Sequence, residues 1–253
     1  MLWVLDLDGV VWLAGTAIDG SADAIARLRA SGERVVFVTN NSTPSLAGYV
    51  RMLAGAGVDV EPEELVTSAQ AAASMLAPGT RAAMVGGDGL AEALGERNVD
   101  LVRIDDGPDA VVVGRSLTLD FAELAEASNA IRDGARFIAT NTDATFPTPH
   151  GLEPGAGALV AYLEVASGKK GEPAGKPAAP MADLLTARFG QAGAVVGDRP
   201  DTDGLFAERL GVEFILVLSG VTGRADLPVS PSPVLVADNL ARVVDERVPR
   251  GAA

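Results

Sequence analysis

Four short segments of this sequence group side chains whose types and spacing could carry out chemistry. They are Asp6-Leu7-Asp8, Thr39-Asn40-Asn41-Ser42, Gly175-Lys176-Pro177 and Gly197-Asp198-Arg199-Pro200-Asp201-Thr202-Asp203. The chain has no cysteine and a single histidine, which excludes thiolate chemistry and metal sites built from several histidines. The chemistry that remains is that of carboxylates, hydroxyls, amides and a lysine ammonium group.

Asp6 and Asp8 are two residues apart and directly follow an apolar run. In an extended chain both side chains would face the same way. The pair could bind Mg²⁺, which prefers oxygen ligands, or one carboxylate could attack while the other transfers a proton. A solvated acidic turn is the alternative, because this spacing arises readily by chance in an acidic protein.

The second and third segments could bind an anion. Thr39, Asn40 and Asn41 offer a hydroxyl, two amides and main-chain N–H groups that suit a phosphate. The alternative there is a helix N-cap at Ser42 or Thr43, just before Pro44. Lys176 could neutralise charge on a transferring phosphoryl group. The alternative for Lys176 is an exposed lysine in a turn.

The fourth segment places three carboxylates within six residues, between a predicted strand and a predicted helix. Such a segment could hold a metal ion through one carboxylate and support that ligand with another. The alternative is that Asp201 or Thr202 caps the helix that follows.

Apolar runs and helical spacings place these segments at strand ends in an α/β fold. The predicted strands cover residues 2–5, 34–38, 81–85, 110–113, 136–139, 194–196 and 214–218. The predicted helices cover residues 21–31, 44–55, 121–132, 158–166, 181–189 and 203–210. This alternation predicts a parallel sheet covered by helices. In such sheets ligands bind beyond the carboxyl ends of the strands, where the four segments could converge.

The middle of the chain has its own strand–helix alternation, bracketed by polar, glycine-containing stretches near residues 78–79 and 170–171. We therefore predict one domain inserted into another: an outer domain of residues 1–78 and 171–253, and an inner domain of residues 79–170. The length of 253 residues allows each to bury a core of its own.

The composition restricts the partners of the protein. With 34 acidic and 20 basic side chains, the net charge of −14 argues against nucleic acid as a partner. It would also repel an anionic substrate, so an anion site must be built from local donors or a metal. No stretch approaches the length of a membrane helix and no leader is evident at residues 1–5, so we expect a cytoplasmic protein without a membrane partner. A homodimer is compatible with this sequence.

The conjunction and order of the four segments resemble the haloacid dehalogenase (HAD) superfamily of phosphotransferases. More narrowly, the sequence resembles the branch that contains NagD and the p-nitrophenylphosphatases. The segments that carry this resemblance are LDLDGVVW, VTNNST, PGAGALVAYLEVASG, GKP and GDRPDTD. The resemblance implies a doubly wound, Rossmann-like parallel-sheet core with a smaller inserted α/β cap domain, namely the inner domain above.

The resemblance also implies roles for individual residues. Asp6 would be the nucleophile that forms an aspartyl-phosphate, and Asp8 the general acid and then the general base. Thr39 and the main chain of Asn40 would hold phosphate oxygens. Lys176 would balance the charge around Asp6 and the phosphoryl group.

The same resemblance implies a metal site and a specificity loop. Mg²⁺ would bind the Asp6 carboxylate, the main-chain carbonyl of Asp8 and Asp198, with Asp203 supporting these ligands. We expect Asn41 to bind the phosphate group together with Thr39 and Asn40. Asn141 and Asp143 follow the predicted strand 136–139, and we expect them at a cap edge that takes part in substrate choice. Their alternative role is to satisfy backbone groups in a turn.

The function expected is a Mg²⁺-dependent phosphatase that hydrolyses small-molecule phosphomonoesters. A phosphomutase or another phosphotransferase with the same intermediate is one alternative. A non-catalytic, receiver-like phosphate-binding domain is another. Asp8 disfavours a receiver, because a receiver needs no general acid two residues after its phosphate acceptor. The sequence does not indicate which phosphate ester is the substrate.

Overall fold

The computed structural model describes residues 1–248 and divides into two compact units. Unit 1 comprises Met1–Thr39, Tyr49–Val66 and the chain from Leu185 onward. Unit 2 comprises Asn40–Gly48 and Thr67–Leu184. Each unit contains a sheet of its own. No helix of the described residues is long and apolar enough to cross a membrane.

The structure forms strands along most of the described chain. They are β1 (Leu2–Leu5), β2 (Trp12–Leu13), β3 (Thr16–Ala17), β4 (Arg34–Thr39), β5 (Leu65–Thr67), β6 (Arg81–Val85), β7 (Asp100–Leu101), β8 (Ala110–Val113), β9 (Arg136–Ala139), β10 (Thr145–Thr148), β11 (Gly151–Pro154), β12 (Glu172–Pro173), β13 (Ala194–Gly197), β14 (Glu213–Val217) and β15 (Leu235–Ala237).

The α-helices alternate with these strands. They are α1 (Ser21–Ala30), α2 (Leu46–Gly55), α3 (Ser68–Ser74), α4 (Asp88–Glu96), α5 (Phe121–Arg132), α6 (Ala156–Ser167), α7 (Ala179–Phe189), α8 (Leu205–Leu210) and α9 (Leu240–Arg247).

The six-stranded sheet of unit 1 has the strand order β15-β14-β13-β1-β4-β5. Counted in the order in which its own strands occur along the chain, this is the doubly wound order 3-2-1-4-5-6 read from the other edge. β1 lies at its centre and pairs in parallel with both β13 and β4. All of β1 is buried, as expected for a strand covered on both faces. The order reverses between β1 and β13, which makes their carboxyl ends the switch point of the sheet.

The five-stranded sheet of unit 2 has the order β12-β9-β8-β6-β7 and is parallel. Helices α5 and α6 pack on it through a core that includes Val111, Ile131 and Leu163. A separate antiparallel hairpin joins β10 to β11. Two parallel sheets flanked by helices confirm the predicted fold class, a Rossmann-like α/β core with a separate cap sheet. The predicted domain boundaries stay a prediction.

Most predicted elements form within one or two residues of their expected ends, and the differences have local causes. The helix predicted from residue 203 begins at Leu205, because the chain first makes a π-helical turn at Pro200–Gly204. In that turn the Arg199 carbonyl accepts hydrogen bonds from the N–H groups of Thr202, Asp203 and Gly204. The β10–β11 hairpin was not predicted, because each of its strands contains a proline and has no alternating apolar pattern.

Candidate active site

Three carboxylates meet at the switch point of the unit 1 sheet. Asp6 follows β1, and Asp198 follows β13, its parallel neighbour. Asp203 lies on the π-helical turn after β13. One carboxylate oxygen from each residue lies within 4.8 Å of the other two, and all three residues are buried. Strand pairing therefore brings together acids that are almost two hundred residues apart in the sequence.

Main-chain N–H groups orient these carboxylates. Asp6 Oδ1 accepts a hydrogen bond from Leu7 N at 2.8 Å, and Asp198 Oδ2 accepts one from Val221 N at 2.5 Å. Asp203 Oδ2 accepts one from Arg199 N at 3.1 Å. Main-chain donors of this kind hold a carboxylate in one orientation. The burial of Asp6 argues against the solvated acidic turn.

Two glycines pack directly against Asp198. A Cβ atom at Gly9 or at Gly220 would collide with the Asp198 carboxylate. Gly9 also has a φ of +80°, a left-handed conformation that other residues adopt only with strain. The loop after β1 therefore depends on glycine for its approach to this carboxylate.

The donor set of the cluster fits a magnesium ion. Three buried carboxylates at this separation repel one another, and a divalent cation bound among them would offset that repulsion. Carboxylate oxygens are also the hard ligands that Mg²⁺ prefers. Asp203 was expected only to support the ligands, and the structure places one of its oxygens with those of Asp6 and Asp198.

Asp8, Thr39 and Tyr49 complete the polar groups of this region of unit 1. Asp8 is partly buried, and its Oδ1 accepts a hydrogen bond from Trp12 Nε1 at 3.1 Å. Thr39 ends β4, and its side chain is hydrogen-bonded to the hydroxyl of Tyr49. Burial raises the pKa of Tyr49 well above its usual value, and the negative charges of Asp8 and Asp6 add to the shift.

Sequence reasoning missed Tyr49. The sequence does place a tyrosine in the helix predicted to follow Thr39, and this is the signal that could have pointed to Tyr49. In the structure its side chain is fully buried, with its hydroxyl beside acidic groups. Sequence periodicity gives the burial of such a residue but not the neighbours of its hydroxyl.

A second polar cluster lies within unit 2. Lys176 follows β12 and Asn141 follows β9, and these two strands are paired in parallel. Lys176 is only 3% exposed, so the reading of it as an exposed turn lysine is wrong. The Asn40 side chain is hydrogen-bonded to the main chain of Lys176 and to the carboxylate of Asp143. Asn141 Nδ2 donates to the Asn40 carbonyl at 2.6 Å.

The remaining candidate residues have local roles. Asn41 is partly buried, and its Oδ1 accepts a hydrogen bond from Thr43 N at 3.0 Å. Ser42 does not cap α2, because that helix begins at Leu46 and the N–H of Gly48 donates to Ser45 Oγ at 3.1 Å. The Ser42 hydroxyl contacts that of Thr140 instead. Asp201 is exposed and forms an ion pair with Arg199.

Comparisons with known protein families agree with this geometry. The family model described as haloacid dehalogenase-like hydrolase matches residues 3–100, and a second HAD-hydrolase-like model matches residues 173–243. The chain is 41% identical over 231 residues to a D-glycerol 3-phosphate phosphatase of Mycobacterium tuberculosis, covering 88% of this chain and 64% of that protein. It is 36% identical to an acid sugar phosphatase of Staphylococcus haemolyticus, covering 89% of this chain and 88% of that protein.

Solved structures give the same result. The p-nitrophenyl phosphatase of Archaeoglobus fulgidus has a TM-score of 0.90 and 30% identity, covering 97% of this chain and 98% of that chain. NagD of Escherichia coli K-12 has a TM-score of 0.85 and 32% identity, covering 94% of this chain and 96% of that chain. A glycerol phosphate phosphatase of M. tuberculosis, solved in complex with magnesium, has a TM-score of 0.89 and 38% identity, covering 96% of this chain and 75% of that chain.

The doubly wound sheet and the acidic cluster at its switch point define a haloacid dehalogenase-like hydrolase, and this chain belongs to that family. Within the family it belongs to the NagD-like branch of phosphoric monoester hydrolases.

Proposed function

We propose that this chain hydrolyses small phosphomonoesters through an aspartyl-phosphate formed on Asp6. The observation that carries the proposal is the buried cluster of Asp6, Asp198 and Asp203 at the switch point of the unit 1 sheet. A carboxylate within a metal-binding donor set can attack a phosphoryl group while the metal offsets the negative charge. The phosphatase relatives support the same reaction.

In the first step an oxygen of the Asp6 carboxylate attacks the phosphorus atom. The bond between phosphorus and the ester oxygen breaks, and Asp8 gives its proton to the departing alkoxide, which leaves as an alcohol. Proton transfer of this kind lowers the barrier to departure of a poor leaving group. The Trp12 indole N–H holds one oxygen of the Asp8 carboxyl group.

In the second step Asp8, now a carboxylate, takes a proton from a water molecule. The water oxygen attacks phosphorus, the bond between phosphorus and the Asp6 oxygen breaks, and inorganic phosphate leaves. Both carboxyl groups return to their initial states, Asp6 ionised and Asp8 protonated.

Mg²⁺ would be held by the Asp6 carboxylate, the Asp8 carbonyl and Asp198, with Asp203 beside them. When bound it offsets the repulsion between the anionic nucleophile and the anionic ester. Thr39, Asn41 and the main-chain N–H of Asn40 would hold phosphate oxygens. Lys176 would balance the charge of the phosphoryl group. The roles of Lys176, Asn40 and Asn41 rest on the motif order of the family.

The substrate is proposed as a small phosphate ester, with glycerol phosphate and sugar phosphates supported by the names of the relatives. We propose that Asn141 and Asp143 take part in choosing the leaving group. The boundaries of a core at residues 1–78 and 171–253 and a cap at residues 79–170 belong to this proposal. A homodimer and a cytoplasmic location also stay proposals.

The test is release of inorganic phosphate from p-nitrophenyl phosphate by the purified chain, with added Mg²⁺ and with EDTA. We expect turnover with Mg²⁺ and its loss with EDTA. Transfer of phosphate to a second sugar hydroxyl in place of water would indicate a phosphomutase. A stable phosphorylated chain without turnover would indicate a receiver-like domain. Full activity in EDTA would contradict the metal-dependent mechanism.

A further inference from the structure

The side chain of Asn40 is fully used in contacts inside unit 2. Its Oδ1 accepts a hydrogen bond from Lys176 N at 2.7 Å. Its Nδ2 donates to Lys176 O at 3.0 Å and to both carboxylate oxygens of Asp143, at 3.1 and 3.2 Å. An amide has two N–H donors, so one hydrogen serves the carbonyl and the other is shared by the carboxylate.

These bonds define the orientation of the amide. A reversed amide would place its NH₂ group against the Lys176 N–H and its oxygen against the Asp143 carboxylate, and both contacts are repulsive. Asp143 therefore holds the amide in the orientation that binds both main-chain groups of Lys176.

The main chain of Asn40 is held as well. Its carbonyl accepts hydrogen bonds from Ser68 Oγ at 2.5 Å and from Asn141 Nδ2 at 2.6 Å. Gly175, the residue before Lys176, packs tightly against the Asn40 side chain, because a Cβ atom at this position would lie 2.5 Å from Asn40 Oδ1. Asn40 is thus held in place on its main chain, while its side chain is hydrogen-bonded to both the main-chain N–H and the carbonyl of the buried Lys176.

We propose that Asn40 is a positioning residue for Lys176. Its side chain fixes the main chain from which the lysine side chain extends, and so determines where the ammonium group lies. This proposal depends on the proposed function in one respect, namely that Lys176 acts on the phosphoryl group. Electrostatic stabilisation depends on placement, and small displacements of a charged group reduce it strongly.

A double-mutant cycle tests whether Asn40 acts through Lys176. Asn40→Ala removes the amide but keeps the main-chain N–H. We expect it to lower kcat for p-nitrophenyl phosphate about 10- to 100-fold in the wild-type background. In the Lys176→Ala background we expect less than about a twofold further loss, because the group that Asn40 positions is gone. Equal losses in both backgrounds would overturn the proposal.

A charge exchange tests the orientation by Asp143. Asn40→Asp keeps an acceptor for Lys176 N but places two carboxylates in contact, so we expect a loss at least as large as that of Asn40→Ala. Combining Asn40→Asp with Asp143→Asn restores an N–H donor to this contact, and we expect part of the activity to return. Asn129→Ala is the control, since Asn129 is exposed and its side-chain oxygen accepts a hydrogen bond from Arg132 on its own helix. No recovery in the double variant would count against the orienting role.

Hydrogen exchange separates this proposal from the proposed function. The Lys176 amide hydrogen, resolved by NMR, should exchange at least about tenfold faster in Asn40→Ala and unchanged in Asn129→Ala. This readout does not require turnover. If the wild type lacks phosphatase activity, the proposed function fails while the exchange result still reports on the contact. Unchanged exchange in Asn40→Ala would overturn the positioning role even in an active enzyme.

Discussion

At the scale of single residues, the site depends on carboxylates whose burial is offset by short main-chain hydrogen bonds. Asp6, Asp198 and Asp203 each accept at least one N–H bond from a residue close in the fold. Such bonds orient a carboxylate, which a nucleophile or metal ligand needs. Each residue can therefore be tested by replacing a charge without changing its shape.

Asp6→Asn removes the attacking oxygen and a charged metal ligand while preserving the size of the side chain. We expect kcat for p-nitrophenyl phosphate to fall below about a hundredth of the wild-type value. Initial rates measure this, and far-UV circular dichroism checks the fold. Asp201→Asn is the control, because Asp201 is exposed and pairs with Arg199. Higher residual turnover in Asp6→Asn would exclude a covalent role for Asp6.

Tyr49→Phe removes the hydroxyl that is hydrogen-bonded to Thr39. Because both groups are buried, we expect the free energy of unfolding to fall by about 1 kcal/mol. If Thr39 holds phosphate oxygens, KM should rise as well. Urea denaturation and steady-state kinetics measure the two effects. Tyr162→Phe, at a partly exposed position in α6, should change neither, and equal effects of the two variants would be the opposing result.

At the scale of elements, the site is made by the register of adjacent parallel strands. Leu5 pairs with Val196, so the residues that follow both strands emerge at one edge of the sheet. The loop after β1 then turns back through Gly9, whose left-handed conformation brings it against Asp198. The geometry of the acidic cluster is therefore a property of two strand ends and one tight loop.

Two glycines with nearly the same φ allow strain to be separated from close packing. Gly9 and Gly15 have φ of +80° and +79°, but a Cβ atom meets nothing within 4 Å at Gly15. We expect Gly15→Ala to lower the free energy of unfolding by about 1 kcal/mol from strain alone. Gly9→Ala should lose more than about twice that and need more Mg²⁺ for activity. Urea denaturation measures the free energy of unfolding of both variants. Equal losses in Gly9→Ala and Gly15→Ala would mean that the close contact of Gly9 with Asp198 does not affect stability.

At the scale of the whole molecule, a net charge of −14 and a buried acidic cluster couple the stability of the protein to divalent cations. A ligand that binds the folded chain alone stabilises it by RT ln(1 + [L]/Kd). Screening of surface charge by any salt is a separate and less specific effect.

We expect Mg²⁺ at about 100 times its Kd to stabilise the wild type by about 2.7 kcal/mol, which raises Tm by about 5–10 °C. Asp198→Asn should reduce this shift, because it removes one ligand charge. Thermal unfolding in MgCl₂ and in NaCl of matched ionic strength separates binding from screening. Equal Mg²⁺-specific shifts in the wild type and in Asp198→Asn would place the ion elsewhere.

Substrate choice is also a property of the whole molecule. Asn141→Ala or Asp143→Ala should change the ranking of kcat/KM across a panel of phosphate esters, in addition to a loss common to all esters that follows from their contacts with Asn40, and p-nitrophenyl phosphate should show only the common loss. That ester needs little recognition of its leaving group. Both side chains also hold other groups of unit 2, so a uniform loss on every substrate would assign them to the positioning of Asn40 and Lys176 and not to substrate choice.

The sequence by itself determined the strands at the centre of both sheets and most of the longer helices, and which residue types stand at the strand ends. These features are local, because the apolar period and the turn residues that encode them lie within a few positions of one another. The strands at residues 2–5, 81–85, 110–113 and 136–139 therefore form where the pattern predicts them.

Only the tertiary structure decided which of these segments are neighbours. The pairing of β1 with β13, the contact of Asn40 with Lys176 across 136 positions, and the burial of Tyr49 beside acidic groups arise from packing between distant parts of the chain. No local pattern records such contacts, because each depends on strand order, register and loop path together. The order of the strands around β1 thus brings the acidic cluster of unit 1 together, and the pairing of β12 with β9 brings together the strand ends that carry Lys176 and Asn141 in unit 2.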